Sequence, residues 1–131
     1  MMLVDSDILI AHLRGIEVAR DWLVSARRAG PLSISVVTVT ELVGGMRSPE
    51  RQAVWRLLDS MTVKPINELV ARRAGDFMRE HRRSNSGIGL ADYLIAATAE
   101  INGLDLATLN IRHFPMFDGL EAPFALPASP R

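Results

Sequence analysis

Met2-Leu3-Val4-Asp5-Ser6-Asp7-Ile8-Leu9-Ile10-Ala11-His12-Leu13 reads as a strand running straight into a helix. The apolar run Met2-Leu3-Val4 suits a short strand, Asp5-Ser6 is a helix-capping pair, and the apolar residues that follow suit a buried helix. Asp5 therefore stands at the carboxyl end of a strand. An unpaired ionised carboxylate there is costly unless it is protonated, hydrogen-bonded or bound to a cation.

Outward from this unit the same alternation repeats. A second helix is predicted from Glu17 to Arg28, with Val18, Trp22, Leu23 and Ala26 on one face and Gly30-Pro31 ending it. Leu32-Ser33-Ile34-Ser35 alternates like a strand, Val37-Thr38 opens a helix through about Gly45, and Ser48-Pro49-Glu50 starts the helix carrying Val54, Trp55, Leu57 and Leu58. The last three, with Trp22, are expected in the core before any partner surface. Met61-Thr62-Val63-Lys64 is a third strand, followed by an amphipathic helix from near Asn67. After the turn-rich segment from Ser84 to Gly89, a helix from Leu90 to Ile101 ends at Asn102-Gly103, and Leu104 to Leu109 is a further strand. Pro115, Pro123, Pro127 and Pro130 leave the C-terminus with little continuous regular structure, with a Pro-rich tail from about residue 122. Strands alternating with helices predict an α/β fold, a mainly parallel sheet covered on both faces. Such folds bind ligands beyond the carboxyl ends of their strands.

With 131 residues, 48% of them hydrophobic, the chain fits one domain over 1–131. No apolar run approaches the roughly 20 residues of a spanning helix, and the start lacks a secretion signal, so a cytoplasmic protein without membrane contact is expected. The absence of cysteine excludes disulfides, thiolate nucleophiles and cysteine-based zinc sites; His12, His81 and His113 lack metal-ligand spacing. Net charge is zero, yet all the basic residues except Lys64 are arginine. Arg72, Arg73, Arg79, Arg82 and Arg83 face only Asp76 and Glu80 within their segment, which suits either phosphate binding or a solvated helix face with internal ion pairs.

Two further acids sit at positions comparable to Asp5: Glu41 in Thr38-Val39-Thr40-Glu41-Leu42 and Asp92 in Gly89-Leu90-Ala91-Asp92-Tyr93-Leu94. Each has a plain structural role open to it. Asp5 can cap the first helix, Glu41 can complete a capping arrangement with Thr38, and Asp92 can favour a helix N-terminus. Gathered together they would repel one another unless a cation compensated them, and their hard oxygens favour Mg²⁺ or Mn²⁺ over zinc. Phosphodiester hydrolysis is the matching reaction class.

Four pieces of the chain, in order, resemble the PIN-domain ribonucleases, particularly VapC-like toxins of toxin–antitoxin pairs. They are Leu3-Val4-Asp5-Ser6-Asp7-Ile8-Leu9-Ile10, Val39-Thr40-Glu41-Leu42, Leu90 through Ala99, and Ala107-Thr108-Leu109-Asn110-Ile111-Arg112-His113-Phe114. The resemblance implies a three-layer αβα sandwich and a Mg²⁺-dependent endoribonuclease, with Mn²⁺ as a substitute. It also implies transfer or ribosomal RNA as substrate, a homodimer, and inhibition by a small VapB-like antitoxin. It assigns Asp5, Asp92 and Glu41 to the metal, with Asn110 standing where the family often has a fourth acid; Asp118, which does not match the motif, is a spatial alternative to it. Ser6, Arg72, Arg73, Arg79, Arg82, Arg83 and Arg112 are candidates for RNA contact. His113 is expected to pack or face solvent rather than act as a base.

Two alternatives accompany this reading. Asp5-Ser6-Asp7 also resembles the paired aspartates of haloacid-dehalogenase-like phosphatases, although Ile8-Leu9 and the lack of a late Asp-Asp pair depart from that pattern. A non-catalytic binding module is the other, kept open by Asn110.

Overall fold

The computed structural model describes residues 1–128; Pro130, within the expected tail, lies outside them. Four short strands, β1 (Met2–Val4), β2 (Leu32–Ser35), β3 (Thr62–Lys64) and β4 (Asp105–Ala107), form one sheet in the order β3-β2-β1-β4. All pairs are parallel, with Leu3 opposite Ser33 on one side and Leu106 on the other, and Ile34 opposite Val63. Six helices accompany them: α1 (Ser6–Leu13), α2 (Glu17–Ala29), α3 (Val36–Gly45), α4 (Arg51–Asp59), α5 (Glu68–His81) and α6 (Leu90–Ile101).

Alternation along β1 separates two cores. Leu3 packs with Val70, Ala74 and Phe77 of α5 and Tyr93 and Ala96 of α6. Its neighbour Val4 faces the other way, among Ile8 and Leu9 of α1, Leu23 of α2, Leu42 of α3 and Val54 of α4. This is the expected three-layer sandwich. Because helices cover both faces, Ser33 and Ser35 are as buried as Leu32 and Ile34, and the polar alternation in β2 marks no solvent face.

Several expected boundaries shift for local reasons. Helix α3 begins at Val36 because Ser35 caps it, its hydroxyl accepting from the Val37 amide at 3.2 Å. Glu41 consequently lies in the second turn, beyond reach of the helix's open amides, so the alternative of a capping arrangement with Thr38 is not formed. Ser48–Glu50 is a 3₁₀ turn leading into α4, and Ile111–His113 forms a second such turn. Gly103, at φ 63°, supplies the left-handed residue that ends α6.

Trp55 corrects a core assignment: it is 41% exposed, with the Arg51 guanidinium 5.0 Å from its ring centre. Leu57 and Leu58 are partly buried on the other side of α4, and Val18 is exposed on α2. Trp22 packs at an angle against Phe124 of the tail. Among the described residues no helix is long and apolar enough to cross a membrane.

Candidate active site

The strand order reverses at β1, which has β2 on one side and β4 on the other. The chain segments leaving the carboxyl ends of these strands therefore meet. Asp5 leaves β1 and caps α1, its Oδ1 accepting from the Ser6 amide at 2.8 Å. Its Oδ2 accepts from the hydroxyl of Thr108, the first residue after β4, at 2.8 Å. That bond joins the ends of two adjacent strands across 103 residues of sequence.

Asp7, in the first turn of α1, turns to the same place. Its Oδ2 accepts from the Leu109 amide at 3.0 Å and lies 3.2 Å from the Thr108 hydroxyl, which itself accepts from the Asn110 amide at 3.0 Å. The single Thr108 proton thus faces two carboxylate oxygens and can be donated fully to only one of them. Asp5 is the deeper of the two, 5% exposed, and its carboxyl is pushed up to about 7, first by burial and then by the charge of Asp7. Asp7 is raised mainly by burial too, and its Oδ1 is buried without a hydrogen-bond partner.

Asp92 and Glu41 complete the acidic group. Asp92 sits at the third position of α6, its Oδ2 accepting from the Gly89 amide at 3.1 Å. The same oxygen lies 3.0 Å from Nδ1 of His113. Burial raises the Glu41 carboxyl, a hydrogen bond with the Ser6 hydroxyl opposes the rise, and the charges of Asp92 and Asp7 add to it. The charge of Asp92 also raises Asp5 and Asp7, so the four acids share one electrostatic neighbourhood.

The donors are all hard oxygens, two of them on partly protonated or partnerless buried carboxylates, which is chemistry suited to Mg²⁺ or Mn²⁺. Among the described residues no three acidic or histidine side chains already enclose a point as a finished cage, so binding would draw the carboxylates inward.

The sequence-based assignment of site residues omits Asp7, Thr108 and His113. Asp7 is legible, two positions from Asp5, but Thr108 and His113 acquire meaning only when β4 is laid beside β1. Asn110 lies at the rim, its side-chain amide 3.0 Å from His113 Nδ1, and Arg112 is exposed beside it. His113 is neither packed away nor simply solvent-facing: it touches Asp92. Asp118 does not replace a fourth acid, since it lines a recess with Glu100, Gly103 and Asp105 at the amino end of β4, the end opposite Asn110.

The α5 arginines divide. Arg73 is tied to Glu100 of α6 at 2.6 Å and lies over Phe77, while Arg72 pairs with Glu68 at 2.8 Å on the surface. Arg79, Arg82 and Arg83 are exposed and make no ion pair among the described residues. Ser6 is buried beneath the acids. An apolar recess between α1, α3 and α4, lined by Ile10, Leu13, Leu42, Met46 and Val54, opens beside Glu41.

Comparison with known proteins sharpens this picture. The PIN domain profile matches residues 2–119. Ribonuclease VapC10 of Mycobacterium tuberculosis is 66% identical over 127 residues, covering 97% of this chain and 96% of that protein. Ribonuclease VapC19 of the same organism is 38% identical over 125 residues, 95% of this chain and all of that one. Among solved structures, a toxin–antitoxin complex from Klebsiella pneumoniae superposes with a TM-score of 0.79 at 27% identity, covering 96% of this chain and 100% of that chain. A DNA-bound VapBC from Salmonella typhimurium gives 0.75 at 25% identity, with 93% and 97% covered.

Proposed function

The chain belongs to the PIN-domain family, and from that membership we propose that it is a VapC-like toxin, a Mg²⁺-dependent endoribonuclease silenced by a small VapB-like antitoxin. The observation that carries this reading is the buried acidic group at the switch point of the sheet, where Asp5 is held near neutral pH and Asp7 keeps an oxygen without a partner. The extent of the likeness to two ribonucleases named VapC supports it.

Asp5 and Asp92 would hold the cation, with Glu41 beside them. The bound cation supplies positive charge that lowers the cost of ionising water and of charge on the phosphoryl oxygens. Glu41, its carboxylate raised and steadied by Ser6, orients the attacking water and accepts its proton. As the water oxygen bonds to phosphorus the bond to the 3′ oxygen breaks, and that oxygen takes a proton from solvent, leaving a 3′-hydroxyl and a 5′-phosphate. Arg79, Arg82, Arg83 and Arg112 supply phosphate contacts, and structured RNAs such as transfer or ribosomal RNA are the substrate class. The protein works as a cytoplasmic homodimer.

Inhibition follows from the same geometry. An antitoxin arginine placed among the acids would pair with them and exclude the cation, while apolar side chains next to it fill the recess beside Glu41. The test is incubation of antitoxin-free protein with total bacterial RNA and Mg²⁺ or Mn²⁺, beside Asp5→Ala and EDTA controls, with every new RNA end mapped. Discrete metal-dependent cuts absent from the variant are expected. Metal binding without any cut would favour the non-catalytic module, for which Asn110 is the specific argument. The phosphatase alternative falls with the family membership.

A further inference from the structure

His113 occupies a position that the proposed nuclease reading does not use. Its Nδ1 is 3.0 Å from Asp92 Oδ2 and also 3.0 Å from the Asn110 side-chain amide. One ring nitrogen offers either a proton or a lone pair, never both. The carboxylate presents only lone pairs to it, so Nδ1 carries the proton and donates to Asp92. The Asn110 carboxamide, placed with its nitrogen 3.0 Å from the same Nδ1, presents its oxygen there after a half-turn and shares that one proton with Asp92.

Asp92 Oδ2 is thereby held twice, by the Gly89 amide at 3.1 Å and by the imidazole, whereas Oδ1 has no hydrogen bond among the described residues. Two donors on one oxygen fix the plane of the carboxylate. We propose that His113 is a positioning residue for the acidic site: through Nδ1–H it fixes one oxygen of Asp92 and turns the other toward the cation and the RNA phosphate. Asn110 steadies the ring, and this Asn110–His113–Asp92 chain performs the orientation that a fourth acid would otherwise share. The inference rests on the nuclease reading for its purpose, but not for its geometry.

The shapes of asparagine and glutamine provide the test, because Asn Nδ2 superposes on His Nδ1 and Gln Nε2 on His Nε2. Mn²⁺ affinity is measured by titration for the parent, His113→Ala, His113→Gln and His113→Asn, with folding verified by amide NMR spectra. Outer hydrogen bonds to metal ligands typically contribute about 10- to 100-fold in affinity. His113→Ala and His113→Gln should lose roughly that much, and His113→Asn should recover most of it. Ring ¹⁵N NMR of the metal-free parent above pH 8 should show the proton on Nδ1.

Unchanged Mn²⁺ affinity in His113→Ala, no recovery in His113→Asn, or a proton on Nε2 would each overturn the proposal. A parent that binds Mn²⁺ and follows this pattern but cuts no RNA would sink the nuclease reading alone. Cleavage that needs Asp5 yet is paired with intact metal binding in His113→Ala would sink this inference alone. A parent that binds no Mn²⁺ overturns both.

Discussion

Replacing Asp5 with asparagine should destroy activity while making the metal-free protein more stable. In the folded chain the Asp5 carboxyl sits at about 7 against an ordinary 3.8. A raised acid favours the folded state while protonated, so its contribution is fully present below about pH 4 and is lost as pH climbs to about 7. At about 1.4 kcal/mol per pH unit, the loss reaches at most about 4 kcal/mol by pH 8. Asparagine escapes this loss and keeps the local bonds. Its oxygen accepts from the Ser6 amide, and its amide donates to Thr108, whose hydroxyl proton then serves Asp7 alone. Thermal unfolding in EDTA at pH 8 should place Asp5→Asn above the parent by about 2–4 kcal/mol, roughly 8–15 °C for a chain of this size. The gap should close near pH 4, and Mn²⁺ should raise the parent without raising the variant. A variant no more stable than the parent at pH 8 in EDTA would refute the claim that charge crowding sets the state of Asp5.

Other substitutions separate the remaining contributions. Thr108→Val leaves two carboxylate oxygens without their shared donor and should cost about 1–3 kcal/mol in urea unfolding, together with weaker Mn²⁺ binding; a neutral effect would show that water replaces the hydroxyl. Neutralising Arg79, Arg82 and Arg83 to glutamine in an Asp5→Asn background should lower the slope of log affinity for RNA against log salt by about 0.7 for each phosphate that is no longer neutralised, and an unaltered slope would remove these side chains from the binding surface. Phe77→Ala, deep in the α5–α6 core, should cost about 3–5 kcal/mol, whereas Trp55→Ala should cost about 1 kcal/mol, mostly its stacking with Arg51; similar losses by chemical denaturation would contradict the exposure of Trp55.

Much of the scaffold is readable because its signals are local. Asn67 caps α5 by accepting from the Val70 amide at 3.0 Å, and Asn102-Gly103 ends α6, both as their residue types suggest. The failures have one physical origin, which is that exposure and cross-strand contact are not local quantities. Trp55 reads as core because it lies beside Leu57 and Leu58, yet on a helix adjacent positions point in different directions. His113 lies three residues beyond Asn110, yet its contact with Asp92 exists only once the segment after β4 is brought beside the start of α6. Asp118 is close to Asn110 in sequence, but eight residues carry it to the other end of β4.

The acids show why a capping role and the proposed catalytic role are poor alternatives here. Asp5 commits Oδ1 to the start of α1, and Asp92 commits Oδ2 to the start of α6. Each such bond fixes a carboxylate at a helix N-terminus, where the open amides help offset its negative charge. The remaining oxygens are then crowded at the crevice by the parallel packing of β1 against β4 and by α3 leaving β2. Folding therefore does the unfavourable work of assembling like charges before any ligand arrives, and it is helped by the caps on Asp5 and Asp92 and by the donors Thr108 and Leu109 on Asp5 and Asp7. The same arrangement ties cation binding to stability: whatever neutralises the crevice, whether a divalent ion, an inserted guanidinium or a proton on Asp5, should stabilise the sheet ends it touches.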